Sequence, residues 1–553
     1  MIKELFLHVL HSRDETLAAQ LAPVLEDAKP GFGDVAIPCF TVRIGAESPA
    51  QAADRVAKAV AAAIAASGIR VATAGPYVNC TLPASLIAAS LEAPRQMQDT
   101  GMTALIEYSS PNIGKPFGIG HLRSTVIGGS LARMYAYSGW RVVTMNHLGD
   151  WGTQFGTLLA AFAMWGDEAE LAQGDAIKYL YGLYVRFHEA ATTDPSLADE
   201  GRAWFGRLEG GDREARRLWE LFREKSVRSF QMIYDALGIS FDHVLGESFY
   251  EDKMASALEQ LQEKKLLVAD DGAQIIEFEK YGIKIPNVIV VKTDGTTTYF
   301  LRDVASLLYR NETFGFDKAI YEVGSEQKLH LQQVFAAVKL LGYDVTCEHV
   351  DHGLYMFPEG KMSSRKGTLI FIEDVLGQAT QKVRGIIDEK NPSLPEKNAV
   401  SAAVAVGAII FQDLRTDRVK TVQFDWDKML SFEGETGPYL QYTYARMRSI
   451  LRKAPIAPGV RVTELRSAEE LAVAKHVLRF HDALAASVRE NKPHILCRYA
   501  LDLAQLTNAF YVAQRVIGED EAVMVDRLAL LSVVSQTLQT CLSLLLVPVL
   551  EEM

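Results

Sequence analysis

The chain has 553 residues, 48% hydrophobic and 23% charged, enough for several packed domains and typical of a globular protein rather than a disordered or fibrous one. Five cysteines (Cys39, Cys80, Cys347, Cys497, Cys541) stand far apart with no C-x-x-C pair, which argues against a disulfide framework or a zinc ribbon and for a reducing compartment. The formal net charge of −12 argues against a protein coated in basic residues, while leaving room for a local basic face that engages phosphates.

The opening stretch, MIKELFLHVLHSRDETLAAQ, carries Glu4, Asp14 and Glu15 and has no long apolar core, unlike a secretory or transit peptide, so Met1 reads as the mature start. Up to about residue 100, helical patterns such as SPAQAADRVAKAVAAAIAASG alternate with strand-like pieces such as GPYVNCTLP, the pattern of a small α/β domain. At Thr103 a strand, TALIEYSS, begins. It is followed by the loop PNIGKPFGIGH, a helix from about Gly120 to Ser138 with Leu122, Val126, Leu131 and Tyr135 on one side, and a second strand, WRVVTMN. Strand, Gly-rich loop, helix and strand make a βαβ unit whose loop lies at the carboxyl end of its strand, where doubly wound sheets bind ligands. Gly114, Gly118 and Gly120 permit close backbone approach, the helix start offers free N–H groups, and Lys115 and His121 add donors: phosphate is the natural guest.

Residues from roughly 166 to 285 read as a helical insertion, with Leu218, Leu221, Phe222 and Phe230 set among charges in REARRLWELFREKSVRSFQMIYDALG. Further on, EGKMSSRKGT places Lys361, Arg365 and Lys366 among small flexible residues, a cationic strip suited to a polyphosphate whose charge shifts during reaction. PYLQYTYARMRSILRK interleaves Tyr439, Tyr442 and Tyr444 with Arg446, Arg448, Arg452 and Lys453, which suits base stacking and phosphate contact and equally suits a helix with one buried face. The long uncharged run Leu528 to Leu550 repeats Leu530, Val534, Leu538, Leu542 and Leu546 at four-residue spacing and is broken by polar residues, as in a buried bundle helix rather than a membrane span.

Taken together, IEYSSPNIGKPFGIGHLRST, MNHLGDWGTQFG, TTYFLRDVA, GSEQKLH, GKMSSRKGT and TGPYLQYTYARMRS resemble, in that order and spacing, the arginyl-tRNA synthetases, a class I aminoacyl-tRNA synthetase family with a "HIGH"-type and a "KMSKS"-type loop. The resemblance runs over nearly the whole chain: GFGDVAIP and GPYVNCTLP are similar to the family's N-terminal domain, and FHDALAASVRENKPHILCRYALDLAQLTNAFY to its helical anticodon-binding domain.

The resemblance implies an α/β fold with a Rossmann-like parallel-sheet catalytic core over 101–425, a small N-terminal tRNA-contacting α/β domain over 1–100 and a C-terminal all-α helical bundle over 426–553. It implies an arginine–tRNA ligase using ATP with Mg2+ bound to the nucleotide, no protein-bound metal or zinc, and tRNA(Arg) as partner, acting as a cytoplasmic monomer. By the same resemblance His121, Lys115, Lys361, Arg365 and Lys366 act on the reacting phosphates, and Gly118, Gly120, His121, Met362, Ser363 and Ser364 hold ATP. Glu107, Asn112, Tyr299, Asp303 and Gln327, with Glu247 on a looser alignment, hold arginine, and Tyr439, Tyr442, Arg446 and Arg448 contact tRNA. A guanidinium stays cationic and offers five planar donors, so carboxylates such as Asp303 are the groups it needs; Tyr299 and Asp303, four apart, share a face if a helix starts there.

One position departs from the family. Its loop begins with a histidine, and here Gly118 stands in that place. The missing imidazole leaves three readings open: a synthetase that works without it, a paralogue that binds arginine or tRNA with weak or no aminoacylation, and an enzyme that supplies activated arginine to a biosynthetic pathway.

Overall fold

The computed structural model describes residues 2–44, 46–356, 371–423 and 425–553. The N-terminal part is a four-stranded antiparallel sheet in the order Glu26–Asp27, Val35–Pro38, Tyr77–Thr81, Arg70–Ala74, with Ile2–His11 and Pro49–Ala63 among its helices. Pro49–Ala63 is started by a capping box between Ser48 and Gln51, and its small apolar face, Ala52, Ala53, Val56 and Val60, is buried.

The centre is a parallel five-stranded sheet. Its strands are β1 (Thr103–Glu107), β2 (Arg141–Asn146), β3 (His243–Val244), β4 (Lys318–Gly324) and β5 (Thr346–His352), in the order β5-β4-β1-β2-β3. All five residues of β1 are buried, as a central parallel strand covered on both faces requires. The strand order reverses at β1, so the crevice between the loops after β1 and β4 is the place where such sheets take ligands.

Helix α1 (Ile119–Tyr137) joins β1 to β2. The stripe Leu122, Val126, Leu131, Tyr135 is buried as expected, but so is nearly every other side of the helix. Its far side is covered by the C-terminal bundle: Ser130 Oγ donates to the Leu544 carbonyl at 2.9 Å, and Tyr135 Oη to Asn491 Oδ1 at 2.9 Å. A helix held between sheet and bundle has no polar face to show in its sequence, which is why its amphipathic pattern is weak. Gly128 lets it approach the sheet, since a Cβ there would lie 2.2 Å from Tyr108 Cβ.

The stretch 166–285 differs from the single helical insertion its periodicity suggests. It is helical as far as α2 (Arg213–Leu237), then adds β3 to the central sheet and, after the helix Met254–Glu263, the hairpin Leu267–Asp270 and Ala273–Ile276. Val288–Val291 completes a three-stranded antiparallel sheet. The physical signals are the β-branched run Val288, Ile289, Val290, Val291 and the Asp271–Gly272 turn, both of whose residues have positive φ (43° and 82°). Two helices then flank β4: α3 (Tyr299–Phe314) before it and α4 (Lys328–Leu341) after it.

The C-terminal part is helical, including α5 (Gly437–Lys453), Pro493–Ala513 and Glu521–Leu544. Leu530, Val534, Leu538 and Leu542 are buried within the last of these. Among the described residues the one helix long and apolar enough to cross a membrane is Lys397–Leu414, and most of it is buried inside the protein.

Gly128→Ala should destabilise the protein by about 1–3 kcal/mol through overpacking against Tyr108. A thermal melt of the variant checks this, with a lowered midpoint expected.

Candidate active site

The loops after β1 and β2 are pinned to each other. Asn112 bridges Gly149, Ile113 N–H donates to the Gly149 carbonyl at 3.0 Å, and Gly149 N–H donates to the Pro111 carbonyl at 3.1 Å. Only glycine fits at 149, because a Cβ there would lie 1.8 Å from Asn112 Oδ1. Gln154 links the two loops further: its Nε2 donates to Asn112 Oδ1 at 3.3 Å and its Oε1 accepts from Lys115 Nζ at 3.0 Å. Asp150 is fully buried, accepting from the backbone N–H and hydroxyl of Ser248, both at 2.8 Å, and from Arg223 Nε at 3.2 Å. Its role is to fasten this loop to α2 and to the turn Glu247–Lys253.

Gly118 is the N-cap of α1, with φ −80° and ψ 161°, and its N–H donates to His121 Nδ1 at 3.1 Å. That bond leaves Nε2 of His121 to carry the ring proton and donate outward. Burial, then the charges of Lys115 and His352, push the His121 pKa down to about 4, so the ring is neutral at ordinary pH. Gly120, one turn position on, is exposed. Behind the loop, His352 Nδ1 and Glu322 Oε1 are 2.8 Å apart; burial alone would lower the His352 pKa, and Glu322 holds it above the usual value. Lys361, Met362, Ser363, Ser364, Arg365 and Lys366 lie outside the described residues. The residue that follows their segment, Phe371, bridges Gly118, and Ile372 N–H donates to the Phe117 carbonyl at 3.1 Å, so the chain leaves that segment beside the start of α1.

On the other side of the crevice, Tyr299 and Asp303 do share a face at the start of α3, whose N-cap is Thr298. Asp303 Oδ2 lies 2.5 Å from His330 Nε2, and Oδ1 lies 3.9 Å from His147 Nε2. Burial raises its pKa, but His330, His147 and Arg310 outweigh it and hold the carboxyl below the usual range. Tyr299 is 64% exposed and packs on the His330 ring at 4.8 Å.

Glu247 opens the turn Glu247–Lys253, its Oε2 3.9 Å from Arg302 Nη1. Its burial, opposed by Arg302 and reinforced by Asp303 and Asp150, pushes its pKa up to about 8. Asp303, held below the usual range, and Glu247, which gains its charge as pH rises through about 8, put two carboxyl groups in this corner, which suits a cationic guest. Gln327 is exposed at the N-cap of α4. Glu107, at the carboxyl end of β1, is not a surface residue: it is buried and ion-paired with Arg310 of α3.

Sequence reasoning left His147 and His330 unassigned, and it missed Arg310. His147 Nε2 faces Asp303. The GSEQKLH motif contained His330, but nothing in one sequence says that it turns toward α3.

The expected tRNA residues sit on α5, which buries one face and exposes the other. Leu440, Tyr444 and Met447 are buried, whereas Tyr442 and Arg446 face outward, and the Arg446 guanidinium stacks 4.0 Å over the Tyr511 ring. Tyr439 Oη accepts from Asn508 Nδ2 at 2.8 Å, and Arg448 Nε donates to Glu551 at 2.9 Å.

A family model described as tRNA synthetases class I (R), catalytic domain, matches residues 83–426, and a DALR anticodon binding domain matches residues 440–553. An arginine–tRNA ligase of Clostridioides difficile is 41% identical, covering 97% of both chains, and one of Clostridium acetobutylicum is 42% identical, covering 95% of both. The solved arginyl-tRNA synthetase of Thermus thermophilus superposes with a TM-score of 0.86 at 25% identity over 100% of both chains. That of Plasmodium falciparum shares the fold, with a TM-score of 0.78 at 22% identity over 100% of this chain and 98% of the other.

The His121 geometry predicts a neutral imidazole protonated on Nε2, with a titration midpoint near the value of about 4 that burial and its cationic neighbours impose. Nitrogen NMR of the labelled ring should show no protonation between pH 5.5 and 8; a midpoint above about 6, the range of an unperturbed histidine, contradicts the geometry.

Proposed function

Because the chain belongs to the arginyl-tRNA synthetase family, we propose that its crevice activates L-arginine with ATP and Mg2+ and passes the arginyl group to tRNA(Arg). The observation that carries this reading is the pair of carboxyl groups at Asp303 and Glu247, set in the crevice that also holds the Gly-rich loop before α1. Asp303 and Glu247 take the guanidinium, Tyr299 lies along it, and Gln327 closes that end. Asn112 and Glu107 take the α-carboxylate and ammonium end; since Glu107 is already balanced by Arg310, it contributes an acceptor rather than a net charge.

In the first step an arginine carboxylate oxygen attacks the α-phosphorus, the bond from it to the bridging β-phosphate oxygen breaks, and pyrophosphate leaves; magnesium bound to the nucleotide would offset the phosphate charge. The protein supplies position and charge rather than covalent chemistry. Gly118 and Gly120 admit the triphosphate, His121 Nε2–H donates to it without adding charge, and Lys115 balances it. Met362, Ser363 and Ser364 enclose the nucleotide from the other loop, while Lys361, Arg365 and Lys366 meet the charge that develops on the leaving group. In the second step a terminal ribose hydroxyl of tRNA attacks the arginyl carbonyl and AMP leaves. Tyr442 and Arg446, with Tyr439 and Arg448 beside them, offer the helical part's stacking and phosphate contacts, and the N-terminal sheet contributes a second RNA surface. Domains divide near residues 100 and 425, no protein-bound zinc takes part, and the enzyme acts as a monomer in the cytoplasm, where its five unpaired cysteines stay reduced.

Arginine-dependent exchange of pyrophosphate into ATP, with tRNA present, tests the reading. Exchange with arginine and not with lysine is expected, and Gly118→His should raise the rate by about ten- to a hundredfold if it restores a transition-state donor. No arginine-dependent exchange in either protein would overturn the reading.

Glu247 also makes arginine binding pH-dependent. Its carboxyl, raised to about 8, is protonated below that pH and gains its charge above it, so arginine affinity rises with pH. Between pH 6.5 and 8.5 the arginine Kd should fall about twentyfold, with a proton released on binding, and Glu247→Gln should flatten the profile. Calorimetry in buffers of different ionisation enthalpy reads both.

A further inference from the structure

The loop between β1 and α1 is held in a shape its own residues do not favour. Ser109 and Ser110 both have positive φ, 76° and 47°, a left-handed pair that non-glycine residues rarely adopt in succession. Both ends and the middle of this loop rest on one helix. From α2, the Tyr234 hydroxyl lies 2.8 Å from Ser109 Oγ, and Ser226 Oγ accepts from Gly114 N–H at 2.8 Å. Phe230 and Tyr234 pack edge-on against Phe117 at 6.1 and 5.9 Å. Ser226, Phe230 and Tyr234 are spaced by four, so they form one stripe, and all three are buried.

The hydrogen bonds of this stripe are connected. The Thr125 hydroxyl reaches the His121 carbonyl oxygen at 2.7 Å and donates toward Ser109 Oγ at 2.8 Å. The Tyr234 hydroxyl, paired with Ser109 Oγ, accepts a hydrogen bond from Asn146 Nδ2 at 3.0 Å. The chain Asn146, Tyr234, Ser109, Thr125, His121 thus ends on the backbone of the histidine at the mouth of the loop.

We propose that Ser226 and Tyr234 on α2 are positioning residues for nucleotide binding, holding the Ser109–Gly118 loop in its ATP-receiving shape without touching ATP. The proposal rests on the reading of that loop as the ATP site.

The test uses the full chain and measures Mg-ATP and arginine affinity by calorimetry, together with thermal melts. Tyr234→Phe keeps the ring against Phe117 and removes only the hydroxyl, and Ser226→Ala removes only the acceptor for Gly114. Each should weaken ATP binding about fivefold or more and arginine binding, which meets this loop through Asn112 alone, by clearly less. In a Ser109→Gly background, where glycine takes the left-handed shape unaided and the hydroxyl partner is gone, Tyr234→Phe should cost less than about twofold. Unchanged ATP affinity in both single variants overturns the proposal. So does an equal loss of ATP and arginine affinity with a lowered melting point, or full additivity in the double variant. If Tyr234→Phe does not fold, Ser226→Ala decides alone. A parent chain that binds no ATP overturns both this and the functional reading; one that binds ATP but catalyses no exchange overturns only the latter.

Discussion

The buried ion pair between Glu107 and Arg310 is the constraint from which the rest of the site follows. Arg310 is wholly buried, and besides Glu107 on β1 it donates to Tyr250 Oη and Tyr321 Oη, each at 3.2 Å. One guanidinium thus joins the strand that precedes the phosphate-type loop, the neighbouring strand β4, helix α3 and the turn that begins with Glu247. Taking either charge away would leave the other desolvated and unpaired, at a cost of about 3–5 kcal/mol, so these four elements hold one geometry. Asp303 stands seven residues before Arg310 on the same helix, two turns away on the same side, and its direction into the crevice is set by that anchor.

The two halves of the crevice divide charge differently. On the loop side His121 is kept neutral and offers a proton without attracting a second cation, while Lys115 is held by Gln154. On the carboxylate side, Glu247 is partly offset by Arg302, and Asp303 is steadied by two histidines rather than neutralised by a fixed cation. Histidine suits this position because it can hold a carboxylate in place and yield when a stronger cation arrives. The geometry thus separates an end lined by Lys115 and His121 from an end lined by Asp303 and Glu247 at one parallel sheet's carboxyl edge.

What was legible in the sequence was local. The Gly-rich loop, the helix that follows it and the four-residue spacing of Tyr299 and Asp303 all rest on contacts within a few residues, and each appears as read. The tie from Glu107 to Arg310 spans 203 residues and that from Gly114 to Ser226 spans 112, and no spacing rule reaches so far. The three-stranded sheet after α2 was hidden because short β-branched runs do not by themselves separate strand from buried helix. His147 shows the same limit: it stands within MNHLGDWGTQFG, but the turn of its ring toward Asp303 depends on how that loop is folded.

On the proposed reading, Asp303 and Glu247 select a cationic side chain for transfer to tRNA. The most direct test is charging of tRNA with arginine against citrulline, which has nearly the same shape and no charge. Because an uncharged side chain leaves Asp303 and Glu247 without their partner, the account predicts discrimination in kcat/KM of about 10⁴-fold or more in favour of arginine. Charging of both within about tenfold of one another would contradict it, since shape alone accounts for differences of that order.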